Sequence, residues 1–245
     1  MNYIKRPIIG VKGNKGSGKD TVASMIVYIM ETGYTAATFE GWENYNKSEK
    51  DKLDIPIRHF ADKIKDDLSL IFNINQECFN SSEYKDKLYY HFRTNSFIDL
   101  KNAVVPVPEI TIDDLQENNL AEWRESYNDD CVIKLRTLMQ YYGTEVIRNN
   151  IGKNTWVDIT INILIKVKNY YGYAIVADVR FDNEAHAIRN IGGKIVHVVR
   201  FGDIDKPEHS SEVINTNMQD YVIVNKGTLL GLFYKVVEFV KEYMV

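Results

Sequence analysis

The stretch Ile8-Ile9-Gly10-Val11-Lys12-Gly13-Asn14-Lys15-Gly16-Ser17-Gly18-Lys19-Asp20-Thr21 decides how this chain is read. Ile8, Ile9 and Val11 form a short apolar run, the signature of a buried strand. Gly13 to Lys19 then fits the G-x-x-x-x-G-K phosphate loop, with Lys15 and Ser17 inside it. Val22, Met25, Ile26 and Ile29 follow at the i, i+3, i+4, i+7 spacing of a helix. The glycines (Gly13, Gly16 and Gly18) let the backbone bend so that several N–H groups converge on phosphate oxygens. The helix start adds partial positive charge, and Lys19 adds a full one that can reach β- and γ-phosphates. A glycine-rich turn that merely caps a helix does not account for strand, loop, lysine and helix in this order.

One position departs from the pattern. Asp20 stands where a Ser or Thr normally binds Mg²⁺, and the hydroxyl comes one residue later, at Thr21. A carboxylate can ligate Mg²⁺ directly or through water. Equally, Asp20 can act as a first-turn helix charge while Thr21 carries the metal. The residues leave both arrangements open.

With 245 residues, 44% of them hydrophobic and 26% charged, the chain has the makings of one substantial α/β domain with an insertion, or of two small domains. A formal net charge of −4 argues against a general nucleic-acid or anionic-membrane binder. Cys78 and Cys131 are too few and too unpatterned for a disulfide scaffold or zinc site, and are expected as reduced thiols in the cytoplasm. The phosphate loop comes within a dozen residues of Met1, which leaves no room for a signal peptide, and no apolar run approaches membrane-spanning length.

Farther along, Ala36–Phe39 is expected as a short strand and Gly41–Asp54 as a solvated loop. Residues 55–60 read as a strand leading into a helix whose buried face is Ile64, Leu68 and Ile71. Lys63 and Lys65, at that junction, are candidates for a substrate phosphate, beside the ordinary reading of an exposed lysine. Residues 78–130 read as an insertion, with Pro106 and Pro108 favouring an extended edge. A helix is expected from about Cys131, with Val132, Leu135, Met139, Tyr142 and Val146 on its apolar stripe. Beside that stripe run Arg136, Gln140, Gly143 and Thr144, which periodicity alone reads as a helix flank. Gly143 inside the pattern implies a close approach or a break, since Gly costs a helix about 1 kcal/mol relative to Ala.

Residues 173–180 form a buried strand with a charged end, and alternation puts Asp178 and Arg180 on one side. Ligand clefts of open parallel sheets lie at strand carboxyl ends, so this pair suits a metal contact and a phosphate grip; a structural ion pair fits equally well. Glu184 opens the next helix. A strand at 194–199 ends next to Arg200, and His197 within it reads as a packing histidine. Residues 201–216 have lid-like composition; their His209-Ser210-Ser211-Glu212 lacks the ordering of a nucleophile and base. A last strand at 221–224 turns through Asn225-Lys226-Gly227-Thr228 into a closing helix. Strands near 8–12, 55–60, 173–179, 194–199 and 221–224, alternating with helices, predict a five-stranded parallel sheet covered on both faces.

Together these pieces resemble one family, the deoxynucleoside monophosphate kinases of tailed bacteriophages. The matching elements are G-x-x-x-S-G-K-D-T at Gly13–Thr21, R-x-L-M-Q-x-x-G-T-[DE] at Arg136–Glu145 and N-x-x-x-x-x-W at Asn150–Trp156. D-x-R-x-x-x-E at Asp178–Glu184, I-V-H-V-V-R at Ile195–Arg200 and N-x-G-[ST]-L at Asn225–Leu229 complete the set. The resemblance implies a P-loop NTPase fold, a single kinase domain with an insertion, ATP as donor, Mg²⁺, a dNMP acceptor and a homodimer. It makes Gly13, Lys15, Gly16, Ser17, Gly18, Lys19, Asp20, Thr21, Asn225, Lys226 and Gly227 nucleotide-binding. Asp20, Thr21 and Asp178 become metal residues. Lys19, Arg136, Asp178, Arg180 and Glu184 form the catalytic set, and Lys63, Arg136, Gln140, Gly143, Thr144, Trp156 and Arg180 face the acceptor. The K-D-T variant looks like this family's normal form. A kinase of a non-nucleotide phosphate such as phosphomevalonate, or a nucleotide-binding regulator, shares the loop but predicts no base pocket or no turnover.

Overall fold

The alternation that begins at Ile8 sets the architecture of the structure, a computed structural model that describes residues 7–48, 56–99, 107–200 and 219–243. Strand β1 (Ile8–Lys12) leads into helices α1 (Lys19–Thr32) and α2 (Phe39–Ser48), then β2 (Ile57–Arg58) and α3 (Asp62–Phe72). Short helices α4 (Glu77–Asn80) and α5 (Ser82–Lys87) precede strands β3 (Leu88–His91), β4 (Ser96–Asp99) and β5 (Glu109–Ile110). Next come α6 (Asp114–Glu117), α7 (Leu120–Ser126), β6 (Val132–Lys134) and α8 (Leu135–Tyr141), which passes into a π-helical stretch at Tyr142–Asn149. Helix α9 (Thr155–Tyr171), β7 (Ala174–Val179), α10 (Asp182–Asn190), β8 (Lys194–Arg200), β9 (Tyr221–Asn225) and α11 (Leu229–Tyr243) follow. The expected lid-like segment 201–216, with His209 to Glu212, lies outside the described residues, as do 49–55 and Pro106.

The chain divides into two compact units, Met1–Phe60 with Val157–Val245, and Ala61–Trp156. The first holds a five-stranded sheet in the order β2-β7-β1-β8-β9, parallel throughout as expected. Side chains alternate across it. Ile9, Val11, Ile175, Ala177, Val196 and Val198 meet α1 and α11 on one face. Ile8, Ala174, Val176, Val179 and Ile195 meet α9 and α10 on the other. Both faces are therefore dry, which is why these strands read as continuous apolar runs. Each fully buried Val or Ile contributes about 1.5–3 kcal/mol of transfer free energy.

Ile71, expected on the buried face of α3, is instead 60% exposed, and Leu68 is the buried residue of that helix. Ala36–Phe39 is not a strand, and the polar segment beginning at Gly41 is largely the helix α2. Trp42 is the buried residue of that helix, and Phe39 packs edge-on against Phe233 of α11. One narrow apolar contact line under a charged surface gave too little periodicity to reveal a helix.

The second unit contains a mixed sheet in the order β4-β3-β6-β5, antiparallel except for β5 with β6. Residues 78–130 supply three of those strands, and Pro108 leads directly into the edge strand β5. Leu68, Phe79, Tyr90, Phe92, Ile133 and Leu135 lie in its core, with Phe72 edge-on to Tyr90 at 4.6 Å. The helix expected from Cys131 starts later, because Val132–Lys134 pair as β6. Its apolar stripe also shifts register. Beyond Tyr142 the π-helical winding places Ile147, not Val146, on the buried side.

Candidate active site

The phosphate loop connects β1 to α1. Gly16 and Gly18 adopt φ of +81° and +94°, a left-handed backbone that a side chain strains. Gly18 is the N-cap of α1, and no side chain caps the helix. The first-turn N–H groups, including those of Lys19, Asp20 and Thr21, thus lack an intrahelical acceptor and are available to an anion. Ser17 is 1% exposed, yet its Oγ has no hydrogen-bond partner among the described residues. An unsatisfied buried hydroxyl costs about 1–3 kcal/mol, so an orphan here fits a loop shaped for an anion. Lys15 is exposed on the loop and Gly13 begins it.

Lys19 Nζ lies 3.1 Å from Asp20 Oδ2, and His59 Nε2 lies 3.9 Å from Asp20 Oδ1. Burial pushes the Asp20 carboxyl up, but hydrogen bonds and charge from His59 and Lys19 outweigh it and hold the group below its ordinary value. Thr21 is half-buried on the same turn. Lys12, the last residue of β1, is only 3% exposed. Burial, reinforced by Arg189 and opposed by Asp182, lowers its pKa to about 8.

The carboxyl ends of the neighbouring strands converge on this loop. Asp178, in β7, is 8% exposed, and its Oδ1 accepts the Phe60 N–H at 2.8 Å, tying β7 to the residues after β2. Glu184 is 4% exposed, and its Oε2 accepts the N–H groups of Arg180 at 2.7 Å and Phe181 at 3.0 Å. That carboxylate fixes the backbone where β7 turns into α10, and it leaves the Arg180 guanidinium exposed. At the end of β9, Asn225 Nδ2 donates to the Ser17 carbonyl at 2.9 Å. Lys226 and Gly227 are exposed just beyond it, with Gly227 at φ +101°. Arg200, ending β8, donates from Nη1 to the Gly16 carbonyl at 3.3 Å. Sequence reasoning missed Arg200 and His59 as neighbours of the loop. The one available signal was a cationic residue at a strand's carboxyl end.

In the second unit, Lys63 pairs with Asp67 one helical turn away, and Tyr142 Oη donates to Asp67 Oδ2 at 3.3 Å. The Asp67 hydrogen bond holds the Lys63 ammonium above its ordinary pKa. Arg136 forks onto Asp86, with Nε at 2.6 Å and Nη2 at 3.0 Å from the two carboxylate oxygens. Gln140 and Thr144 are exposed, whereas Gly143 is buried, so the expected flank is not a uniform surface. Trp156 is 7% exposed, and its Nε1 donates to the Gly143 carbonyl at 3.0 Å. A Cβ at Gly143 would come within 2.8 Å of Ile64 Cδ1, so the anticipated close approach is present.

Among the described residues no group of three or more His, Cys, Asp or Glu is gathered as a metal site, and no helix is long and apolar enough to cross a membrane. Kinases commonly bind Mg²⁺ through one or two carboxylates plus substrate phosphates, which needs no such cage.

Comparison with known proteins extends these observations. The deoxynucleotide monophosphate kinase of Enterobacteria phage T4 is 38% identical to this chain over 104 residues, and that of Escherichia phage RB69 is 32% identical over 104. Each alignment spans 42% of this chain and 43% of the relative, so the match covers less than half of these curated proteins. A protein of Acanthamoeba polyphaga mimivirus aligns at 24% identity across 94% of each chain. A family model described as deoxynucleotide monophosphate kinase matches residues 7–236. With its phosphate loop set on a five-stranded parallel sheet, the chain belongs to the deoxynucleotide monophosphate kinase family of P-loop kinases.

Proposed function

We propose that this chain transfers the γ-phosphoryl group of ATP to a deoxynucleoside 5′-monophosphate, giving ADP and the deoxynucleoside diphosphate. The observation that carries this is the uncapped, glycine-bent loop at Gly13–Thr21 within a chain matched by the family across residues 7–236. An acceptor phosphate oxygen attacks the γ-phosphorus as the bond to the β,γ-bridging oxygen breaks. The attacking oxygen is already ionised, so no general base is needed, and the protein's work is alignment and charge stabilisation.

Within the first unit, Gly13, Lys15, Gly16, Ser17, Gly18 and Lys19 hold the donor phosphates, Lys19 bearing on the developing charge. Asp20, Thr21 and Asp178 are the residues that would hold Mg²⁺, which when bound neutralises phosphate charge. Arg180 grips a phosphate, with Glu184 positioning its backbone; Asn225, Lys226 and Gly227 support the nucleotide end of the loop. Within the second unit, Lys63, Arg136, Gln140 and Thr144 are assigned to the acceptor. Gly143 and Trp156 shape the backbone that carries them. The family resemblance further supports one kinase domain with an insertion at 78–130, a homodimer and a cytoplasmic site of action.

ADP release coupled to NADH oxidation, with ATP, Mg²⁺ and each dNMP in turn, tests the proposal. Turnover with several dNMPs is expected. Turnover confined to phosphomevalonate, or ATP binding without acceptor-dependent ADP, contradicts it.

A further inference from the structure

We propose that Arg200 is a further catalytic residue, a guanidinium that contacts the donor's phosphates over the phosphate loop. Its position follows from sheet register. Strand β8 runs parallel to β1, with His197 opposite Lys12, the last residue of β1. Arg200 lies three residues beyond that register point, past the end of β1, where the loop folds back. There its Nη1 donates to the carbonyl of Gly16 at 3.3 Å. A Cβ built on Gly16 would sit 3.7 Å from Nη1, an ordinary contact distance, so the φ of +81° and not Arg200 is what favours glycine there.

The Arg200 side chain is exposed, and among the described residues it has no carboxylate partner. A guanidinium offers five N–H donors, and one hydrogen bond to a neutral carbonyl leaves most of them for a ligand. Of the loop's two lysines, Lys15 is exposed and Lys19 is partly neutralised, sharing its charge with Asp20 at 3.1 Å. A triphosphate bound on this loop gathers more negative charge than these two lysines balance. A planar cation supplied in cis meets that need and suits phosphate geometry. The competing role is purely structural, with Arg200 serving only to brace the Gly16 carbonyl.

The two roles separate experimentally. Arg200→Gln keeps an N–H for the Gly16 carbonyl but removes the charge, and Arg200→Ala removes both. ATP affinity, measured by calorimetry without acceptor, is read beside kcat with a dNMP; the kinetic arm rests on the phosphoryl transfer proposed above, the binding arm does not. Both variants should lose about tenfold or more in kcat, and ATP affinity should weaken about fivefold. Guanidinium ion added to R200A should restore part of the rate. Wild-type kcat and affinity in R200Q would overturn the assignment, as would a loss seen in R200A alone. A wild-type protein that binds ATP but phosphorylates no dNMP removes the proposed function, while the affinity of R200Q still decides the role of Arg200. Thermal melting of each variant identifies any loss that comes from misfolding, and R200M, which lacks the charge but keeps most of the side-chain stem, then replaces a misfolded variant with the same outcomes.

Discussion

Asn225 donates from Nδ2 to the Ser17 carbonyl at 2.9 Å and accepts the Gly227 N–H on Oδ1 at 3.0 Å. One amide therefore joins the end of β9 to the phosphate loop, although 208 residues separate Asn225 from Ser17 in sequence. A Cβ at Gly18 would lie 2.9 Å from that same Nδ2, so the glycine and the asparagine are matched parts. Asn225→Asp removes the donor and puts a negative charge beside the loop. ATP affinity should fall about tenfold, with a stability loss of about 1 kcal/mol. Calorimetry and urea denaturation check both; unchanged ATP binding would show that the loop holds its shape without this bridge.

The Trp156–Gly143 hydrogen bond predicts a stability effect. Trp156→Phe keeps an aromatic ring but leaves the Gly143 carbonyl without its donor, at a cost of about 1–3 kcal/mol. Because Gly143 sits at the start of the π-helical stretch, KM for the dNMP should rise more than KM for ATP. Equal changes in both would separate this bond from the acceptor.

Gly143→Ala should destabilise the chain by about 1 kcal/mol, since the new Cβ meets Ile64 Cδ1 at 2.8 Å and must displace it. Ile64→Val removes that methyl group. In a double-mutant cycle the G143A/I64V pair should be less destabilised than the sum of the single variants. Strict additivity would place the cost in the backbone instead.

How far the fold was legible depended on element length and on burial of both faces. The strands of the parallel sheet are dry on both sides, and β1, β7 and β8 are five to seven residues long, so their apolar runs were plain. Within the insertion a helix or hairpin was the most that could be read, and the mixed sheet was not, because its strands have two to four residues, too few to show alternation. The shift in helix phase at Tyr142 was invisible because Gly143 signalled an irregularity without specifying π winding. Among site residues, the loop was legible as a motif. The bonds that place Asn225 and Arg200 on it belong to tertiary structure, and no spacing rule along one strand announces them.

His197 carries a pH dependence of stability on the acid side of neutrality. Its half-buried ring, next to the charge of Lys12, has a pKa lowered by burial from 6.5 to about 4, with partial opposition from a Gln219 hydrogen bond. Between those values the unfolded chain binds more protons than the folded one, so stability is lost as pH falls from about 6.5 towards about 4. His197→Asn should flatten that part of the pH–stability curve. An unchanged slope would assign the acid sensitivity to carboxylates.

The proposed reaction transfers a phosphoryl group from ATP to a dNMP at the loop that carries Lys19. The most direct test follows label from γ-labelled ATP, with Mg²⁺ and one dNMP, in the wild type and in Lys19→Ala. Label should appear in the deoxynucleoside diphosphate, and K19A should lose at least about a hundredfold in that rate while keeping its melting behaviour. Label released only as inorganic phosphate, or equal transfer by K19A, would contradict the account.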